Sequence, residues 1–103
     1  MRSSRKIEFT EEAETDLQSL LDFSLATWGE QQHDHYAGRV AEAIRDLLVY
    51  PELGAERHDI APGLRNRRIG QHVIYYRVLA ESIRIVRILQ ARMNPEQHLR
   101  GRS

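Results

Sequence analysis

The 103 residues are enough for one domain with a single hydrophobic core, and 41% apolar with 29% charged residues are ordinary values for a folded protein. The absence of cysteine excludes disulfides and thiolate metal sites, and no apolar run approaches the roughly 20 residues of a membrane span. The net charge is zero, but residues 1–60 hold 6 basic and 13 acidic side chains, whereas residues 61–103 hold 9 and 2. We therefore expect one domain, 1–103, in the cytoplasm, whose basic part either pairs with its acidic part or binds an acidic partner.

The first third of the chain has the pattern of a short strand followed by a helix. Residues 5–9 alternate polar and apolar side chains, which predicts a short outer strand. Thr10 then stands where the N-cap of a helix belongs. Apolar residues recur at spacings of three and four from Ala13 to Trp28, and Gly29 ends this pattern. We therefore predict a first helix that ends at Gly29.

The remaining chain predicts a second helix and three strands. An amphipathic pattern over about residues 30–49 predicts the second helix, which pairs with the first as a hairpin. Residues 51–63 contain the proline and glycine typical of a connection. Runs rich in β-branched and aromatic residues at 64–69, 72–79 and 83–89 predict a three-stranded antiparallel meander. This order of elements predicts an α+β fold.

Short motifs extend along nearly the whole chain, and their order and spacing are more specific than any one of them. They are Trp28-Gly29, Gln32, Tyr36, Pro51, Gly54, Gly63-Leu64-Arg65, Gly70 to Arg77, Val86 to Leu89, Arg92-Met93-Asn94 and His98-Leu99. This set resembles the ParE toxins, a branch of the RelE/ParE superfamily found in bacterial type II toxin–antitoxin systems.

The resemblance implies a β-α-α-β-β-β toxin that inhibits DNA gyrase by stabilising the broken-DNA intermediate. It also implies neutralisation by a ParD-type antitoxin in a hetero-oligomer, with DNA reached only indirectly through the antitoxin or the gyrase complex. Neither a cofactor nor a membrane partner is expected.

RNA cleavage is the alternative function, because RelE-type relatives cut messenger RNA on the ribosome with strand-borne basic residues and a C-terminal tyrosine. This chain has His72-Val73 where those nucleases have an aromatic-arginine step, and no tyrosine follows Tyr76. Gln90 stands where ParE-family members often have histidine. His98 as an acid or base beside Arg92 keeps the alternative open. We nevertheless expect a toxin that is not an enzyme and has no catalytic residue.

Antitoxin binding is assigned to a groove between the helical hairpin and the sheet and to a basic strand. An amphipathic antitoxin helix would fill the groove while an extended segment lies along the sheet. Arg65 and Arg67 share one face of a strand, where they contact the acidic antitoxin, contact the gyrase–DNA complex or are simply solvated. Part of the groove set must serve the packing of the helices themselves. The groove candidates are Leu21, Leu25, Trp28, Tyr36 and Val40.

The C-terminal segment is assigned to gyrase, because the resemblance implicates it in toxicity. Its candidate residues are Arg92, His98, Arg100 and Arg102, and the alternative is a frayed terminus without function. A metal site is not expected, since His33 and His35 are two positions apart and point to different faces of a helix.

Overall fold

The protein is built on one five-stranded sheet, seen in a computed structural model that describes residues 5–99. The strand order is β1-β5-β4-β3-β2, in which β1 pairs parallel with β5 and every other pair is antiparallel. The predicted α+β fold is confirmed, with the first strand at an edge. In chain order the elements are β1 (Lys6–Phe9), α1 (Glu11–Val49), β2 (Ala55–Glu56), β3 (Leu64–Ile69), β4 (His72–Val78), β5 (Ser82–Gln90) and α2 (Pro95–Leu99).

The two predicted helices are the two arms of α1, which breaks at Gly29 with φ 84° and ψ 174°. Only glycine adopts this conformation without strain. The Ser24 Oγ atom lies 2.7 Å from His33 Nδ1, although residues nine apart on a straight helix are separated by about 13 Å along its axis. The arms therefore fold back on each other, and the predicted hairpin is confirmed.

Thr10 links the start of α1 to the sheet. Its hydroxyl accepts a hydrogen bond from Ala13 N at 3.0 Å and donates to Val86 O at 2.7 Å. Its backbone N donates to Ile85 O at 3.0 Å. The predicted N-cap is confirmed, and such a cap contributes about 1 kcal/mol.

The register between β4 and β5, which the sequence left open, contains one irregularity. Tyr75 lies opposite Arg87 and Tyr76 opposite Ile85, so that Val86 is the extra residue of a β-bulge. The bulge lies at the middle of the sheet, beside the arginine that contacts the first helical arm.

Two hydrophobic cores lie on opposite faces of the sheet. Ile74 and Tyr76 of β4 pack in the core beneath the helical hairpin. Val73 and Tyr75, which alternate with them, pack in a second core on the far face. Leu99 of α2 completes the second core and is fully buried. The short C-terminal helix therefore packs on the far face of the sheet, together with Ile60 and Ala61 of the loop before β3.

The segment predicted as a connection contains the two-residue strand β2, which pairs with β3. Gly54 precedes it and donates its backbone N–H to Tyr76 Oη at 2.8 Å. A Cβ atom at Gly54 would lie 2.5 Å from Asn66 O, so the backbone comes too close here for any side chain. This close approach explains a glycine at position 54 of the motif set.

Candidate functional site

The tip of the helical hairpin exposes three large apolar side chains, which we call the tip surface. Phe23 is 41% exposed, Leu25 46% and Trp28 36%. The rings of Phe23 and Trp28 meet edge to face with centroids 6.0 Å apart, and Trp28 meets Tyr36 in the same way at 5.5 Å. Such contacts hold the exposed rings in fixed positions. Exposed aromatic rings in fixed positions are typical of protein-binding surfaces.

The predicted groove residues differ in how far their side chains are exposed. Leu25 and Trp28 are exposed, and Leu21 is half-buried against the core. Tyr36 and Val40 are buried at 6% and 2% exposure, so their assignment as antitoxin contacts is wrong for the isolated chain. Helical spacing places Leu21, Leu25 and Trp28 on the apolar stripe of the first arm and Tyr36 and Val40 on that of the second, but it does not show how much of either stripe the fold buries.

Tyr36 and His72 form a buried hydrogen-bonded pair between hairpin and sheet. The Tyr36 hydroxyl lies 2.8 Å from Ile69 O and 2.8 Å from His72 Nδ1. Because a carbonyl can only accept, the single hydroxyl proton goes to Ile69 O, and His72 Nδ1 donates to the hydroxyl. Burial lowers the pKa of His72 and raises the pKa of Tyr36. His72 is therefore neutral near pH 7, with Nε2 as a free acceptor.

Arg87 makes the most enclosed ion pair in the described chain. Its Nε and Nη2 atoms donate to the two carboxylate oxygens of Asp16 at 2.7 and 3.0 Å, and both side chains are less than one-fifth exposed. Asp16 also accepts from the backbone N of Ile88 at 2.9 Å. Hydrogen bonding to Asp16 raises the pKa of Arg87. This pair joins the first helical arm to β5.

Arg84 pairs at the edge of the sheet with the neighbouring strand. Its Nε donates to Glu8 at 2.6 Å, and this hydrogen bond lowers the pKa of the Glu8 carboxyl. Both side chains are about one-third exposed or more, so solvent weakens this pair relative to a buried one.

Arg65 and Arg67 are mostly occupied within the chain. Arg65 donates to Gly54 O at 2.7 Å and pairs with Glu56 at 3.2 Å. Arg67 donates to Ala43 O at 3.0 Å and pairs with Asp46 at 3.4 Å. Their side chains are only 18% and 25% exposed, which leaves little of either arginine for an antitoxin.

These four arginine pairs share one arrangement. In each pair the arginine comes from the basic part of the chain and the carboxylate from the acidic part. The first of the two explanations for the charge asymmetry, internal pairing, is therefore confirmed for these residues. The carboxylates are Glu8, Asp16, Asp46 and Glu56.

Of the C-terminal candidates, the two that precede Leu99 lie within the described residues. Arg92 is exposed, with Nε donating to Gln90 Oε1 at 2.9 Å, and His98 is half-buried in α2. Leu99 is fully buried, so the segment as far as α2 packs on the sheet instead of fraying. Arg100 and Arg102 lie outside the described residues.

A second exposed apolar region, which the sequence did not predict, lies at the far end of α1. We call it the base surface. Val49 is 68% exposed, Tyr50 64% and Leu53 48%, and they border a groove with Arg5 and Val78. The helix pattern ends at these residues, so periodicity gave no indication of their exposure.

Residues 5–99 contain no group of three or more His, Asp or Glu side chains placed to hold a metal ion. His33, one of the histidines considered for a metal, is hydrogen-bonded to Ser24. Within the same residues, no helix is both long enough and apolar enough to cross a membrane.

Phe23 was missed as a surface residue, although a signal was present in the sequence. It lies outside the apolar stripe that runs through Leu20 and Leu21, and a large apolar residue off that stripe predicts an exposed ring. Asp16 carried no such signal, because its partner is 71 positions away.

Comparison with known proteins agrees with this architecture. Residues 7–95 match the family model of the ParE toxin of type II toxin-antitoxin system, parDE. Toxin ParE1 of Mycobacterium tuberculosis is 32% identical over 88 residues, covering 84% of this chain and 90% of that protein. Toxin ParE1 of Caulobacter vibrioides is 31% identical over 87 residues with the same coverages.

A solved structure confirms the fold. A chain of the chromosomal ParDE TA system from P. aeruginosa superposes with a TM-score of 0.71, covering 84% of this chain and 96% of that chain at 22% identity. The family model and the relatives extend over the hairpin and the sheet described above. The chain therefore belongs to the family of ParE toxins of type II toxin–antitoxin systems.

Proposed function

We propose that this toxin acts in the cytoplasm by poisoning DNA gyrase and is neutralised by a ParD-type antitoxin that covers the tip surface. The choice of gyrase rests on membership in the ParE family. The choice of binding over catalysis rests on one observation: two strand-borne side chains of the type that could serve catalysis are used here to hold the fold together. Arg87 is paired with Asp16, and His72 is buried against Tyr36.

A gyrase poison needs no chemistry of its own. It binds the gyrase complex with broken DNA more tightly than the resealed complex and so raises the population of the broken state. To move that equilibrium from 1:99 to 99:1, the toxin must prefer the broken state by about 10⁴-fold. DNA cleavage itself remains the reaction of gyrase.

The antitoxin contact is proposed on the tip surface because of its apolar character and fixed geometry. Phe23 and Trp28 present two rings in edge-to-face contact near the bend of the hairpin, and Leu25 is exposed on the same arm. An amphipathic helix is a partner that buries exposed apolar side chains of this kind. Aromatic residues at the centre of an interface often contribute most of its binding energy.

The target is tested with purified gyrase, ATP, plasmid and the full chain, followed by detergent, protease and a gel for linear DNA. Linear product that depends on the toxin is expected. A parallel reaction uses a chain that lacks residues 100–103 and keeps Leu99, whose loss would uncover the second core. No linear product from a preparation that still arrests growth would reject gyrase as the target. Equal product from both chains would remove Arg100 and Arg102 from the gyrase-directed surface.

The antitoxin surface is tested by Trp28→Ala, with Tyr50→Ala on the base surface as the matched control. We expect Trp28→Ala to weaken binding of the antitoxin from the same operon by about 30-fold, as truncation of a central aromatic does. Tyr50→Ala should leave the affinity within about twofold of the parent. Calorimetry on folded variants measures both, and equal affinities for the two variants would reject the tip surface.

A further inference from the structure

A cleft opens at the rim of the sheet, between the hairpin tip, the turn from β3 to β4 and the end of β5. We call it the rim cleft, and its volume is about 470 Å³. Phe23 comes from the hairpin, Arg68 and Gln71 from the turn region, and Gln90 and Arg92 from the end of β5. His72 forms part of its wall. Three separate parts of the chain thus bring cationic, amide and aromatic side chains to one concavity.

The rim cleft is positively charged, and no carboxylate lines it. Arg68 and Arg92 are exposed, and each uses Nε within the chain: Arg68 donates to Gly70 O at 2.8 Å and Arg92 to Gln90 Oε1 at 2.9 Å. Among residues 5–99 neither arginine has an acidic partner within salt-bridge distance, unlike the four paired arginines of the sheet. These hydrogen bonds orient the two guanidinium groups and leave their terminal nitrogens available for an anion.

The neutral groups of the cleft add hydrogen-bonding capacity and a stacking surface. Gln90 accepts from Arg92 through Oε1, which leaves its amide N–H groups as donors. His72 uses Nδ1 on Tyr36 and keeps Nε2 as an acceptor. The ring of Phe23 is 41% exposed at the wall. Guanidinium groups, amide donors and an exposed ring together match the backbone and the base of a nucleotide.

We propose that the rim cleft binds the phosphodiester backbone of a single nucleic-acid strand, with Arg68 and Arg92 on phosphates and Phe23 against a base. The cleft is concave and of the size of small-ligand sites, so it admits one or two nucleotides more readily than a duplex. Phe23 can stack only on a base that is unpaired. The inference goes beyond the proposed function, because it assigns a direct strand contact that requires neither gyrase nor antitoxin.

The test is fluorescence anisotropy with the full chain and labelled 12-nucleotide strands of deoxythymidine and of uridine, beside a 12-base-pair duplex. Arg68→Gln and Arg92→Gln should each weaken strand binding by about tenfold at low salt, as loss of a charged hydrogen bond does. Each should also reduce the salt slope by about 0.7, the change expected for one phosphate contact. Phe23→Ala should weaken binding without changing that slope.

Arg45→Gln is the matched control, because it removes one exposed charge from α1 outside the cleft. Binding close to that of the parent is expected for it. Tighter binding of the uridine strand would assign the same cleft to RNA, and tighter binding of the thymidine strand would assign it to DNA. The proposal is overturned if neither strand binds, if the duplex binds as tightly as a strand, or if Arg45→Gln weakens binding as much as Arg92→Gln. The assay contains no gyrase, so its failure would leave the gyrase proposal standing.

Discussion

The interior of the sheet and the rim cleft use arginine in opposite ways. In the interior, Arg87 is enclosed beside Asp16 and joins helix to strand. At the rim, Arg68 and Arg92 are exposed and, among the described residues, lack a carboxylate partner. Most of the sheet arginines pair with carboxylates of the acidic first part of the chain. The proposal for the rim cleft gives Arg68 and Arg92 a second use, the binding of an anionic ligand.

Among the substitutions that compare enclosed with exposed arginines, Asp16→Ala should have the largest effect on stability. The substitution leaves the Arg87 charge enclosed without its partner and removes the acceptor of Ile88 N. We expect the free energy of unfolding to fall by about 3 kcal/mol, measured by urea denaturation. Glu8→Gln at the more exposed Arg84 pair is the matched control and should cause a clearly smaller loss. Equal losses for the two variants would contradict the distinction between interior and edge.

Tyr36→Phe measures how much the Tyr36 hydroxyl, which lies between the hairpin core and the rim cleft, contributes to stability. It removes the hydroxyl that binds both Ile69 O and His72 Nδ1, leaving two buried polar groups without that partner. The free energy of unfolding should fall by about 1–2 kcal/mol. Denaturation of the variant and the parent in the same buffer measures the difference. A variant as stable as the parent would mean that this pair contributes nothing to the fold.

The pH dependence of stability tests the burial of His72, the hydrogen-bond partner of Tyr36. Burial lowers the pKa of His72 from its usual 6.5, so the unfolded chain binds this proton more readily than the folded one. The stabilising contribution is complete above pH 6.5 and is lost as the pH falls below it. The parent should therefore lose more stability between pH 7.5 and 5.5 than His72→Gln, as measured by urea midpoints. Parallel curves would contradict a role for His72 in this loss.

The smallest effect on stability is expected at the rim. Arg68→Gln and Arg92→Gln remove exposed guanidinium groups whose chain contacts are single Nε hydrogen bonds. Each should change the free energy of unfolding by less than about 0.5 kcal/mol, as is usual for surface substitutions. Thermal denaturation checks this expectation. Losses comparable to that of Asp16→Ala would show that the rim arginines serve the fold as the interior ones do.

The sequence predicted those parts of the fold that depend on local signals. Thr10 as an N-cap, Gly29 as the break between helices and the three C-terminal strands follow from residues within a few positions of each feature. The edge position of the first strand was also correct, although its parallel partner was not predicted.

Features that depend on distant contacts could not be predicted. The spacing of Tyr36 and Val40 indicated an apolar face but not that the fold buries it, whereas Trp28 on the stripe of the first arm is left exposed. The bulge at Val86 depends on how two strands align across the sheet. Which arginines are paired depends on carboxylates up to 76 positions away, so sequence alone could not separate the rim arginines from the interior ones.

Pulse-labelling after induction distinguishes a toxin that binds gyrase from one that cuts RNA. A bacterial culture expressing the full chain is given labelled thymidine in one sample and labelled amino acids in another during the first minutes. We expect DNA synthesis to stop first while protein synthesis continues, because the damage begins at the chromosome. Protein synthesis that stops before DNA synthesis would contradict it and favour messenger RNA cleavage on the ribosome.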